Sequence, residues 1–188
     1  MIDNLAYQED IREEMLNGNV VLMSPRPAVN HNLAMGNIYR AFANRLDGKK
    51  CLPFADGTDV YLTENDRVVP DVMIVCKKEI IKRNGVHGVP DLIVEVLSHG
   101  TEKKDRGYKK DLYEKCGVRE YWLVDTENRT VEVYLLKNEK FVLDEVYKVF
   151  PDYVELSANE QENYKGEVPV SLYSDFTIPL EDIFRNLF

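Results

Sequence analysis

The chain has 188 residues, of which 44% are hydrophobic and 30% charged, enough for one domain with a real core. No apolar run approaches the roughly 20 residues that span a bilayer, and no basic-then-apolar leader opens the chain, so a soluble cytoplasmic protein is expected. A net charge of −9 counts against a nucleic-acid binder, but residues 1–19 carry −4 and residues 151–188 carry −6, leaving residues 20–150 at +1.

In chain order, residues 1–17 read as a polar helix or loose arm with Ile11, Met15 and Leu16 as its apolar face. Gly18-Asn19 is a turn into a short strand, Val20–Met23, which Ser24-Pro25-Arg26-Pro27 ends. A helix follows from about Val29 to Leu46, with Leu33, Met35, Ile38, Phe42 and Leu46 near one stripe and Gly48 closing it. Strand material appears at Cys51–Phe54 and Thr58–Leu62, separated by the hairpin signal Asp56-Gly57. Asn65-Asp66 then turns into Val68–Val75, a β-branched run holding one carboxylate, Asp71, directly after Pro70. Lys77–Asn84 reads as a short charged helix or loop, and His87 in the glycine-rich stretch after it receives no role.

Leu92–Leu97 is an apolar run between Pro90 and Gly100, the signature of a strand buried on both faces, interrupted only by Glu95. A buried glutamate needs a metal, a cation or a proton, and a structural ion pair satisfies it as well as a functional site does. A helix opens at Thr101 and stops at Gly117, placing Asp105, Lys109 and Tyr113 on one stripe. Its segment 101–120 holds seven Lys/Arg against five Asp/Glu. Tyr121–Val124 is the next buried strand, so the strand–helix–strand unit implies parallel pairing. Thr130–Leu135 and Phe141–Val149 form an antiparallel hairpin, and 151–188 is an acidic C-terminal extension ending in a short strand and a docking helix. The three cysteines, Cys51, Cys76 and Cys116, form no CxxC and are expected to be reduced thiols.

Two carboxylates on neighbouring strands and a lysine from the following helix are the parts of a divalent-metal phosphodiesterase. The carboxylates hold a hard cation and the lysine offsets charge on the attacking water. Lys110 is the rival to Lys109, about 100° round the helix.

Pro70-Asp71, Pro90-Asp91 through Glu95-Val96-Leu97-Ser98, Asp105-Arg106-Gly107 with Lys109 and Tyr113, Gly117-Val118 and Glu120–Asp125 resemble the Uma-two family of the PD-(D/E)XK nuclease superfamily. The ordered likeness runs from about residue 20 to 136. It implies an α/β restriction-endonuclease-like core, a mixed central sheet flanked by helices with an added antiparallel hairpin. It also implies a Mg²⁺- or Mn²⁺-dependent endonuclease acting on DNA. Asp71, Glu95 and Lys109 are then the catalytic set, with Asp71, Glu95 and the Val96 carbonyl on the metal. Asp105, Tyr113 and His31 support them. The superfamily's lysine two residues after the second carboxylate is absent, since Leu97 stands there, and the resemblance moves that role to Lys109. No Glu lies between Val29 and Leu46, where other superfamily members place a metal-assisting one. A homodimer is expected from base rates. An inactive nuclease-fold scaffold and a hydrolase of another phosphoester stay open beside this reading.

Overall fold

The computed structural model describes residues 12–23, 27–151 and 154–188. The expected arm or helix over 1–17 falls outside these residues up to position 11, and so does the Ser24–Arg26 strand end. Where the arm is described it is a strand: β1 (Glu13–Leu16) pairs with β2 (Asn19–Leu22) around Asn17-Gly18. Both turn residues have positive φ, 50° and 75°, the geometry of a two-residue hairpin whose twist matches its strands. Glu14 and Leu16 alternate inward, a period of two that four residues cannot advertise in sequence.

Helix α1 (Val29–Leu46) lies where the sequence puts it, with Ala34, Ile38, Phe42 and Leu46 as the buried row. Then come β3 (Leu52–Ala55), β4 (Val60–Thr63), β5 (Asp66–Val68) and β6 (Val72–Val75). The stretch from Lys77 to Asn84, expected as helix or loop, is one 3₁₀ turn and the start of a tight hairpin, β7 (Ile81–Lys82) with β8 (Gly85–His87). After β9 (Leu92–Val96) the chain turns into α2 (Glu102–Lys104), a π-helical segment (Asp105–Lys109) and α3 (Lys110–Cys116) without a break. Gly117 closes the run at φ 89°, the left-handed cap its sequence position announces. β10 (Glu120–Asp125), β11 (Thr130–Lys137), β12 (Lys140–Lys148), α4 (Ala158–Glu162), β13 (Glu167–Pro169), β14 (Thr177–Pro179) and α5 (Leu180–Ile183) complete the order.

The strands form two six-stranded sheets and one small ribbon. The first large sheet runs β12-β11-β10-β9-β6-β3, with β9 and β10 parallel and the other neighbours antiparallel. The crossover unit inferred from sequence is therefore present at its centre. The second runs β2-β1-β5-β4-β8-β7 and is also mixed. Alternate residues of the central strands feed two cores. Val72, Ile74, Val94, Trp122 and Val124 face α1 and the C-terminal elements, while Met73, Ile93, Tyr121 and Leu123 face α3 and the second sheet. The architecture is mixed α/β, as expected.

One expectation is overturned. Cys51 and Cys76 are joined by a disulfide, one step beyond the Leu52↔Val75 rung of the β3–β6 ladder, and only Cys116 is free. Spacing of 25 residues conceals this pairing, because it follows from register between strands and not from a local motif. The cytoplasmic inference loses the support that three reduced thiols gave it. No helix of the described residues is long and apolar enough to cross a membrane.

The C-terminal elements are tied to the sheet by a buried carboxylate. Glu120, fully buried, accepts from Trp122 Nε1 (2.7 Å) and from the Ser171 backbone N–H (2.9 Å) and hydroxyl. Burial pushes its carboxyl up even against these donors. Glu120→Ala strands the indole and Ser171 donors and is expected to cost about 2–4 kcal/mol. The check is a lower urea midpoint at unchanged m; a shift worth less than about 0.5 kcal/mol contradicts this role.

Candidate functional site

β6 and β9 run antiparallel with Val72 opposite Val94, so Asp71 and Glu95 face each other one step past that rung. Directly opposed residues hold their Cβ atoms roughly 5 Å apart, close enough for two carboxylates to share one small cation. The Val96 backbone N–H donates to Asp71 Oδ2 (2.7 Å), which places the Val96 peptide beside the same carboxylate. Both acids open into one cavity of about 280 Å³. Glu95 is 3% exposed and Asp71 is half-buried at the mouth.

Lys109 is the cation of this cavity. Only 4% exposed, its Nζ lies 2.8 Å from Glu14, 3.1 Å from Glu95 and 3.7 Å from Asp105. Burial opposes its charge, but the carboxylates of Glu95, Glu14 and Asp105 outweigh that and raise its pKa, so it is an ammonium at any working pH. Lys110 points elsewhere, its Nζ 4.1 Å over the Tyr134 ring. The π-helical turn from Asp105 to Lys109 buries both of those residues on the site side, with Gly107 in its middle. Sequence periodicity assumed an unbroken α-helix here. Tyr113 reaches the site too, but it donates to Glu95 Oε1 (2.7 Å) and orients the glutamate, not the lysine.

Glu14 is the residue that sequence reasoning missed. It is 2% exposed, salt-bridged to Lys109 and accepts from the Val69 backbone N–H (3.0 Å). α1 contributes no carboxylate to the cavity, and β1 contributes this one. The available signal was the apolar pair Met15-Leu16 after two acids, too short to tell strand from arm.

His31, at the start of α1, brings Nε2 within 3.2 Å of Asp71 Oδ2. Burial disfavours its charge, yet the hydrogen bond and charge of Asp71 raise its pKa on balance. Its Nδ1 is buried with no partner among the described residues, as is Asp105 Oδ1. Asp56 also lines the cavity, bound by the Arg12 guanidinium (2.8 Å), whereas Asp59 faces Arg67 outside it.

The donor set fits a hard divalent cation. Among the described residues no three of His, Cys, Asp and Glu converge to enclose an ion alone. Asp71 Oδ1 and Glu95 Oε2 accept no hydrogen bond from those residues, while the other oxygen of each is anchored. Two free carboxylate oxygens, with water and a substrate phosphate for the remainder, is how Mg²⁺ is ordinarily held. Charge points the same way. Glu14, Asp71, Glu95 and Asp105 face Lys109 and His31; Lys104 also lines the cavity and Arg12 cancels Asp56, so the acids still exceed the cations by one with the imidazole protonated. Uncompensated buried charge costs several kcal/mol per ion.

That imbalance falls on Glu95. Its pKa is held well above the ordinary carboxylate value by burial, against the pull of Lys109 and with the push of Asp105, Asp71 and Glu14. A folded pKa raised above the unfolded value of about 4.3 gives stability that is complete below that value and lost as pH rises through the folded one. Glu95→Gln keeps an acceptor for Tyr113 and removes the charge. In chelator, it is expected to melt at or above the wild-type temperature near neutral pH, with the gap closing toward pH about 4.5. A large loss of melting temperature at neutral pH contradicts the charge account.

The fold and much of the sequence are shared with known proteins. A solved structure titled as a putative nuclease belonging to DUF820 from Anabaena variabilis superposes with TM-score 0.69. The match covers 92% of this chain and 89% of that one at 20% identity, a likeness of fold. The uncharacterized protein slr1290 of Synechocystis is 30% identical over 134 residues, 69% of this chain and 70% of its own. A family profile described as "Putative restriction endonuclease" matches residues 3–163, and the chain belongs to that family, Uma2.

Proposed function

We propose that the protein is a metal-dependent endonuclease that hydrolyses phosphodiester bonds of DNA. The observation that carries the reading is Asp71 opposite Glu95 in one cavity with the buried ammonium of Lys109. A bound Mg²⁺ or Mn²⁺ supplies Lewis acidity toward the phosphoryl oxygens and lowers the pKa of a bound water. Asp71 and Glu95 hold that ion, with the Val96 carbonyl beside them. Lys109 stabilises negative charge on the attacking water and the pentacovalent phosphorus. Glu14 and Asp105 fix the lysine, since an ammonium salt-bridged on several sides has little rotamer freedom left. Tyr113 fixes Glu95, and His31 fixes Asp71 at the mouth.

A second reading, hydrolysis of a small phosphoester, is favoured by one observation. The cavity, at about 280 Å³, is the size of a small-ligand pocket.

The test is nicking of supercoiled plasmid with Mg²⁺ or Mn²⁺ against chelator, run beside a chromogenic phosphodiester. Wild type is expected to nick only with metal, and Asp71→Asn and Lys109→Met to lose about 100-fold or more in rate. Turnover of the small ester with an intact plasmid moves the function to the second reading. No turnover of either, or variants as fast as wild type, removes the catalytic role.

A further inference from the structure

Sequence places the positive charge of this chain on the segment 101–120, but the fold spends most of it internally. Arg106 is paired to Glu102 and Glu132, Lys109 is buried in the site, Lys110 covers Tyr134 and Arg119 lies 3.6 Å from Asp91. Lys103, Lys104 and Lys115 of that segment are not ion-paired among the described residues, and a denser group of such cations lies outside it. Residues 77–83 carry four Lys/Arg against one Glu, and Lys77, Lys78, Lys82 and Arg83 are all exposed. Among the described residues none of the four is ion-paired, although other surface cations such as Arg12, Arg45, Lys140 and Lys165 are.

This basic hairpin is held rigidly, and close to the cavity. The Val86 N–H donates to the Asp59 carbonyl (2.8 Å), and β8 pairs in parallel with β4. Gly85 sits at φ 137°, and a Cβ there would fall 2.4 Å from the Asp59 oxygen, so the strand can approach only without a side chain. His87 stacks on Tyr61 with ring centroids 4.4 Å apart, which braces the next residue pair. The loop it is pinned to is the loop that builds the site. Asp56 lines the catalytic cavity, while Gly57, Thr58 and Asp59 line a separate hollow of about 370 Å³ shared with Lys82 and Arg83. Three peptide steps from Asp56 to Asp59 span at most roughly 11 Å, about three base-pair steps of a duplex.

We propose that the β7–β8 hairpin, through Lys82 and Arg83 with Lys77 and Lys78 behind them, grips the sugar–phosphate backbone of the nucleic acid a few nucleotides from the bond held in the cavity. The proposal rests on the nuclease reading and adds where its substrate lies. The contact is made by flexible ammonium and guanidinium groups to phosphates. It sets position and salt dependence, not sequence preference. It also bears on how a chain of net charge −9 approaches a polyanion, since the stretch 77–83 carries four Lys/Arg against one Glu.

The experiment compares two charge-matched variants of the full chain, Lys82→Gln/Arg83→Gln on the hairpin and Lys103→Gln/Lys115→Gln on exposed helix positions. Binding of a fluorescein-labelled duplex DNA is followed by anisotropy across a KCl series, with equal melting temperatures as the folding control. The hairpin pair is expected to weaken binding at every salt concentration and to lower the slope of log Kd against log[KCl] by about two, with a much smaller change in the helix pair. Equal slope changes in both pairs, or no change in the hairpin pair while wild type binds, overturns the proposal. A wild type that neither binds the duplex nor nicks plasmid brings down the nuclease reading itself, and the hairpin proposal with it.

Discussion

One buried ammonium surrounded by carboxylates sets the terms for everything near it. Lys109 contacts Glu14, Glu95 and Asp105 at 2.8, 3.1 and 3.7 Å, and Asp71 stands opposite Glu95 across the ladder. Such a group is not there for stability alone, because apolar side chains of the same volume serve a core at least as well. Its acids outnumber its cations, and burial, with the neighbouring acids, holds the Glu95 carboxyl well above its ordinary pKa. Under the proposed function this arrangement is a place for a cation, and the surrounding strands and helix keep four acids together there.

Four elements deliver those acids, three of them by strand register. The antiparallel β6–β9 pairing fixes Asp71 against Glu95, and slipping it by one residue would turn both to the opposite core. The second sheet brings Glu14 through β1, so the short N-terminal hairpin is part of the site. The π-helical turn after β9 presents Asp105 and Lys109 together, and such turns recur at functional sites because the wider coil re-aims side chains. Behind them Tyr113, Tyr121 and Leu123 exclude water from the inner wall, which strengthens each charge interaction inside.

Much of the central sheet was legible in the sequence because its strands are buried on both faces. Val72–Val75, Leu92–Val96 and Tyr121–Val124 are apolar runs, and the one charge inside them, Glu95, lies in the cavity. Asp71 and Glu95 were legible from residue type and expected burial, whereas the choice of Lys109 over Lys110 came from the family resemblance. The second sheet was legible only at β2 and β4. Its strands are two to four residues long, so length separates them poorly from loop, and β1 and β8 are tied to β5 and β4, far along the chain. Glu14 was lost with β1. The Cys51–Cys76 bond was lost for the same reason, since it depends on which strands are neighbours. Local patterns reveal what the chain does with itself nearby; pairing between distant short strands leaves no periodic mark.

The account turns on the cavity's demand for a cation, and calorimetric titration of Mn²⁺ into the chelator-treated protein, without nucleic acid, tests that most directly. One saturable site is expected in the wild type, lost in Asp71→Ala and in Glu95→Ala while both variants remain folded. No saturable binding in the wild type, or binding that survives both substitutions, would show that the carboxylates serve the fold and not an ion.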